Sequence, residues 1–355
     1  MMNLVYKLAG IVFIILSLIG GWLWQSLNSF STSPLRISQQ SVEFTIAQGS
    51  SLSQIAYRLQ RESIISDASQ FLWMIKLDGS GKHIKAGEYE INQGMTPKDL
   101  FALFVSGKVK QYSFTIVEGW SFKQLREALS GNSHIQHTFA GKSDAEVMVA
   151  LGFEGEHPEG RFLPDTYHFP SGSSDKAFLL RAHQAMESAL QEEWQEREKD
   201  LPYKNAYQAL TMASIVEKET AVVSERKEIA GVFVQRLKKR MRLQTDPTVI
   251  YGMGDKYNGN LRKKDLKRDT PYNTYRRKGL PPTPIAMPGR AAINAALHPA
   301  KTEALYFVAK GDGSHHFSKT VKEHNRAVRK YQIRQRKSDY RSTPEQTESE
   351  EKKGK

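Results

Sequence analysis

From Leu8 to Trp24 the chain reads LAGIVFIILSLIGGWLW without a charged residue, and after Lys7 the next charge is Arg36. A helix rises about 1.5 Å per residue, so residues 8–27 cover the roughly 30 Å hydrocarbon core of a bilayer. Trp22 and Trp24 suit the lipid–water interface. A cleaved signal peptide would have a shorter apolar region and a small-x-small cleavage site, which SLNSFSTS does not offer. The pattern predicts an uncleaved single-pass transmembrane helix. Residues 1–7 are then a short cytoplasmic tail, with the large remainder on the periplasmic or extracytoplasmic side of the cytoplasmic (inner) membrane.

The 355 residues leave room beyond an anchor for two or three compact domains. Cysteine is absent, which excludes disulfides, thiolate nucleophiles and cysteine-ligated zinc. Residues 28–40 fall in a Ser/Gln-rich stretch, from about Gln25, that suits an extended linker. VEFTIAQGSSLSQIAYRL then reads as an alternating strand, a turn at Gly49, and a helix with Leu52, Ile55, Ala56 and Leu59 on one face. GEYEINQGMTPKDLFALF repeats the scheme, with a strand at Tyr89 to Ile91, a turn at Gly94, and Thr96-Pro97 opening the helix. This phrasing resembles the LysM-like modules of cell-wall-associated proteins, so residues 41–111 are predicted to form a LysM-like α/β module.

A third such segment begins near Tyr112 and opens a mixed α+β body over residues 112–335. Helices are expected at residues 177–199 and 206–220. Ser224 is expected to cap another helix, whose buried side carries Ile229, Val232, Phe233 and Leu237. Short β-like runs follow at Thr248 to Tyr251 and Ala304 to Val308, among many Pro and Gly turns that predict a loop-rich cleft. Residues 336–355, rich in charge and poor in apolar side chains, are expected to be a disordered tail.

The chemistry concentrates in SIVEKET, residues 214–220, where two glutamates end an apolar helical run. At spacings of three, four and seven, Glu217 lies over Leu210, Ala213 and Ser214, and Glu219 over Met212, Ile215 and Val216. Periodicity does not choose between them. A carboxyl group against apolar surface near a helix C-terminus has its charged form disfavoured, so it can hold a proton and act as a general acid. The alternative is that one glutamate is solvated and the other pairs with Lys218, Arg226 or Arg161.

SIVEKET occurs with EGRFLPDTYHF, RLQTDPTVIYG, YNTY before GLPPTPIAMPG, and ALHPAKTEALYFVAKGDGSHHFS. Together these phrases resemble the membrane-anchored endolytic murein transglycosylases, the YceG-like family. The resemblance implies a helix-borne catalytic glutamate at Glu217. That residue would protonate the oxygen linking N-acetylmuramic acid to N-acetylglucosamine while the muramyl C6 hydroxyl closes on the anomeric carbon. It implies peptidoglycan glycan strands as substrate, no cofactor, a role in ending strand elongation, and penicillin-binding synthases as neighbours. Beside Glu217, the residues expected to line a saccharide cleft are Gln244, Thr245 and Asp246, placed before a strand, together with Tyr251, Tyr272, Asn273 and Tyr275. Glu159 and Arg161 are expected to order the site as an ion pair, with Glu219 as a further candidate site-ordering residue whose role the sequence leaves open.

Other chemistries lack their signatures. His315 and His316 have no HExxH and no third ligand at useful spacing, and GKS at Gly141 lacks the earlier glycine of a P-loop because position 136 is Gln136. The net charge of +13 favours anionic partners. The basic runs at 236–242, 262–268 and 326–337 come without a helix-turn-helix, RRM or zinc-finger pattern, so lipid headgroups or peptide carboxylates fit better than nucleic acid. The remaining rival is a non-catalytic peptidoglycan-binding scaffold for wall synthesis enzymes.

Overall fold

The computed structural model describes residues 2–334, and the expected tail at 336–355 lies outside them. The described residues form two compact units of mixed α and β structure. One comprises residues 2–112 with His168–Gly172, the other Ser113–Tyr167 with residues 173–334.

The first unit begins with helix α1 (Met2–Thr32), of which Tyr6–Thr32 is long and apolar enough to cross a membrane and is not covered by protein along its apolar stretch. There follow β1 (Ser41–Ile46), α2 (Leu52–Arg61), α3 (Ala68–Asp78), β2 (Gly87–Asn92) and α4 (Pro97–Ser106). The two strands pair antiparallel, with Phe44 opposite Tyr89 and Val42 opposite Ile91. Alternation turns Phe44, Ile46, Tyr89 and Ile91 inward onto Leu59, Phe71 and Phe104. Local sequence sets the helix starts. The Ser51 hydroxyl accepts the Gln54 N–H while Gln54 accepts the Ser51 N–H, and Thr96 and Asp99 form the same reciprocal cap ahead of Pro97.

The stretch expected to be an extended linker is packed instead. Helix α1 continues to Thr32, and Phe30, Leu35 and Ile37 enter the same core. The Leu35 N–H donates to Met95 O at 2.7 Å and the Arg36 N–H to Ile64 O at 3.2 Å. Ser/Gln composition hid these three apolar side chains, each contributing about 1.5–3 kcal/mol when fully buried.

The second unit takes in the end of β3 (Gln111–Thr115), α5 (Phe122–Ser130), β4 (Ile135–Gln136), α6 (Asp144–Leu151), the start of β5 (Thr166–Pro170), β6 (Ser173–Ser174), α7 (Asp175–Gln195), α8 (Ala206–Glu219) and α9 (Arg226–Lys238). It continues through α10 (Asp246–Met253), α11 (Lys263–Lys267), α12 (Arg290–Leu297), β7 (Tyr306–Ala309), β8 (His315–Ser318) and α13 (Val321–Val328). Strand β3 pairs with β5, β4 runs parallel to β6, and β7 and β8 form an antiparallel hairpin. The third strand-turn-helix segment again opens its helix with a reciprocal cap, Ser121 with Gln124.

The core of this unit is built around α8, in which every residue from Ala209 to Val216 is buried. Helices α7, α9, α10 and α12 surround it. Two expectations fail here. Ser224 lies inside a short 3-10 turn, Val223–Glu225, and Glu225 occupies the cap position of α9 without a side-chain cap bond. Thr248 to Tyr251 is helix rather than strand. Pro247 in the first turn is already set for a helix, and the Thr248 hydroxyl returns to Thr245 O at 2.8 Å, which outweighs the β preference of Thr248, Val249 and Ile250.

Candidate active site

Helix α8 starts at Asn205, whose side chain accepts the Gln208 N–H at 3.0 Å. Inside the core, the Ser214 hydroxyl donates to Thr211 O and accepts the Ile285 N–H. The helix surfaces at Glu217, Lys218 and Glu219. Residues two apart point to well-separated sides of a helix, so the glutamates enter different surroundings.

Glu217 is enclosed, with 5% of its side chain exposed. Its Oε1 accepts from Arg226 at 2.9 Å and its Oε2 from the Gly289 N–H at 3.0 Å. Arg226 opens α9 and Gly289 is the N-terminal cap of α12, so this carboxylate ties the end of α8 to the starts of two neighbouring helices. Arg226 also donates to Glu118 at 3.2 Å. Burial pushes the Glu217 carboxyl above its ordinary range and the charge of Glu118 adds to this, while Arg226, the Gly289 N–H and Lys218 oppose it. A proton on Glu217 would leave Arg226, its side chain 6% exposed, without its closest counter-charge.

Glu219 makes no ion pair with a described residue. Its Oε2 accepts the Thr245 hydroxyl at 2.7 Å. Burial pushes its carboxyl up to about 7 and the neighbouring Asp246 charge adds to this, against the Thr245 hydrogen bond and the positive field of Arg236. Arg236 gives its donors to main-chain oxygens, with Leu305 O and Leu243 O each at 2.6 Å, and its guanidinium lies 5.1 Å from the Tyr306 ring centroid.

A cavity of about 610 Å³ opens at Glu219 and is lined also by Gln244, Asp246, Tyr275, Tyr306, Val308 and His324. That volume falls within the range of small-ligand clefts. Gln244 takes a left-handed backbone, φ 53°, with its N–H on Thr274 O, and so turns the chain into the cavity wall. The Tyr275 hydroxyl donates to Asp246 at 2.6 Å. The cavity therefore gathers Glu219, Gln244, Asp246 and Tyr275, with Thr245 buried behind them.

The other expected residues are engaged elsewhere. The Asn273 amide donates to Leu266 O and Arg268 O and its oxygen accepts the Tyr275 N–H, which shapes the loop that delivers Tyr275. Tyr272 bonds Thr283 and meets Tyr251 edge-on at 4.9 Å. The expected Glu159–Arg161 ion pair does not form. Glu159 accepts the Phe122 N–H and the Tyr251 hydroxyl, and burial pushes its carboxyl up to about 7. Arg161 instead pairs with Glu156 at 3.0 Å and stacks on Tyr207. With Phe122 at the start of α5, Glu159 caps a helix while Arg161 serves a separate cluster.

Sequence reasoning passed over Arg236, Tyr306 and His324. Arg236 carried a signal, since it falls at helical spacing with Ile229, Val232 and Phe233, an arginine on a core face. His315 holds Glu225 through its Nδ1 at 2.7 Å, and among the described residues no His, Asp and Glu are grouped to bind a metal.

The YceG-like family model matches residues 44–330. The endolytic murein transglycosylase of Bacillus subtilis strain 168 is 34% identical over 311 residues, 83% of this chain and 86% of that protein. The Streptococcus pneumoniae D39 protein of the same name is 26% identical over 361 residues, covering 91% of this chain, which spans only 64% of that relative's length. A solved YceG-like protein of Listeria monocytogenes superposes with a TM-score of 0.52 and 31% identity, over 81% of this chain and 99% of that one. On the family match across most of its length, and on the extent of its likeness to the Bacillus protein, this chain belongs to the YceG-like family.

Proposed function

We propose that this protein is an endolytic lytic transglycosylase, a lyase that cuts peptidoglycan strands between N-acetylmuramic acid and N-acetylglucosamine, and that its acid is Glu219 rather than Glu217. The single observation that carries the assignment is the position of Glu219, a carboxyl group pushed up to about 7 by burial at a cavity of about 610 Å³, with no ion pair to hold it charged. Glu217, tied to Arg226 and the Gly289 N–H, is the structural carboxylate.

In the reaction the Glu219 proton goes to the bridging oxygen, and the bond from that oxygen to the muramyl anomeric carbon breaks. The C6 hydroxyl of the same sugar bonds to that carbon and gives its proton to Glu219, which leaves a 1,6-anhydro end and restores the acid. No water is consumed. The nucleophile is tethered to the reacting sugar, so one carboxyl group suffices where glycosidases use two. Asp246, negatively charged beside the acid, favours the positive charge that develops on the sugar. Gln244 and Tyr275 supply polar contacts to hydroxyl and N-acetyl groups.

The proposal places α1 across the membrane with the catalytic unit on the outer side, near nascent strands whose length the cut would limit. The strand-turn-helix unit of residues 41–111 would hold glycan as a LysM-like module does. Mass spectrometry of digested sacculi tests the reaction. Wild-type protein should create new 1,6-anhydromuramic ends and Glu219→Gln should not. Reducing ends would mean a hydrolase, and wild-type protein that makes no new ends would leave the scaffold.

A further inference from the structure

A second cavity, of about 480 Å³, lies where α1 leaves its apolar stretch. Trp22, Gln25 and Ser29 of α1 line it, facing Arg36, Ser66 and Gln70. Phe30 and Ile65, both part of the first unit's core, give it an apolar floor. No carboxylate lines it among the described residues.

Its height follows from the helix. Gln25 and Ser29 stand three and seven residues past Trp22, hence about 5–10 Å further along the axis. The headgroup layers add roughly 5–8 Å on each side of the hydrocarbon core, so this cavity opens among lipid headgroups when α1 spans the bilayer. Arg36 is fixed by its main-chain N–H on Ile64 O, yet its guanidinium makes no hydrogen bond or ion pair with a described residue. A guanidinium with free donors, at a cavity whose wall carries hydroxyls and amides and no carboxylate, matches the fork geometry of a phosphate.

We propose that this cavity seats the phosphate of an anionic membrane lipid, one without a headgroup cation to neutralise it, with Arg36 as its main ligand. The proposal rests on α1 being a membrane span. Anionic glycerophospholipids and polyprenyl phosphates share the recognised group, whereas the choline of phosphatidylcholine already neutralises its phosphate. An apolar floor beneath a phosphate-binding rim fits a ligand whose phosphate continues into a hydrocarbon chain better than it fits free phosphate.

Native mass spectrometry of the full chain, released from detergent with phosphatidylcholine, phosphatidylglycerol or a polyprenyl phosphate, reads the site directly. Wild-type protein should retain one of the two anionic lipids at least about tenfold over phosphatidylcholine, the factor set by a charge-assisted hydrogen bond, and the lipid retained identifies the source. Arg36→Gln should lose that preference. Arg61→Gln, which removes an exposed cation of the same unit outside the cavity, should keep it. Equal retention of phosphatidylcholine, or equal losses from the two variants, would overturn the proposal. Carbonate extraction separates this outcome from failure of the anchor. If wild type and Arg36→Gln both stay with the membrane, the span stands whatever the lipid result, and if both wash off, the span and the seat fall together.

Discussion

Two carboxylates stand two residues apart at the end of one buried helix, and on the function proposed above their surroundings give them opposite uses. Both are pushed upward by burial. Glu217 meets a guanidinium and a backbone N–H, so its charge is spent on joining three helices. Glu219 meets a hydroxyl and a cavity, so its proton stays available. Removal from water raises a carboxyl pKa wherever it occurs, but it yields an acid only where no counter-charge is built in and a substrate can reach.

The sharpest way to break this contrast is to remove each acid in turn. Glu219→Gln should lower the rate of anhydro-end formation by about 10³-fold, the usual weight of a general acid, with no fall in thermal midpoint. If Glu217→Gln abolished the reaction and Glu219→Gln spared it, the assignment would be reversed. Glu217→Gln should instead destabilise the fold by about 3 kcal/mol in denaturant titration, because it strands a buried arginine, while the folded fraction keeps its rate within about tenfold.

The pH profile sharpens the same contrast. Glu219 is raised from 4.5 to about 7. The rate of a reaction that needs its proton should therefore fall as pH rises through about 7. Stability runs the same way. The contribution of a protonated Glu219 is full below about 4.5 and lost as pH passes 7, so Glu219→Gln should gain on wild type in thermal melts above pH 7. Thr245→Val removes a hydrogen bond that lowers this pKa and should move the falling limb of the rate profile to higher pH. A profile that stays in place would remove Thr245 from the site.

The smallest effect is expected at Gly289. A Cβ there would lie 1.8 Å from a Glu118 carboxylate oxygen. That side chain is half-exposed and can swing away, so Gly289→Ala should sacrifice only its contact with Arg226. Chemical denaturation should register under about 1 kcal/mol.

What could be read beforehand followed the range of the interactions involved. The caps at Ser51, Thr96 and Ser121 are satisfied within three residues, so the strand-turn-helix segments were visible in the chain itself. The core face of α9 was visible through its spacing, although its cap was not. The difference between Glu217 and Glu219 depends on Arg226, Gly289 and Thr245, which reach the end of α8 through tertiary packing, and no helical period encodes that. The same reason separated Glu159 from Arg161. Two residues apart, they looked like partners, whereas Glu159 is claimed by the distant Tyr251 and Arg161 by Glu156, five residues before it, with Glu187 further off at 3.7 Å.

The unbroken run of α1 into the first hydrophobic core also sets an azimuth. Phe30 is locked into that core, so the direction in which residues 41–111 face is fixed by helical phase relative to the apolar stretch. One residue inserted near Gln25 would swing that face by about 100° and lift it about 1.5 Å, while eleven would nearly restore its bearing some three turns higher.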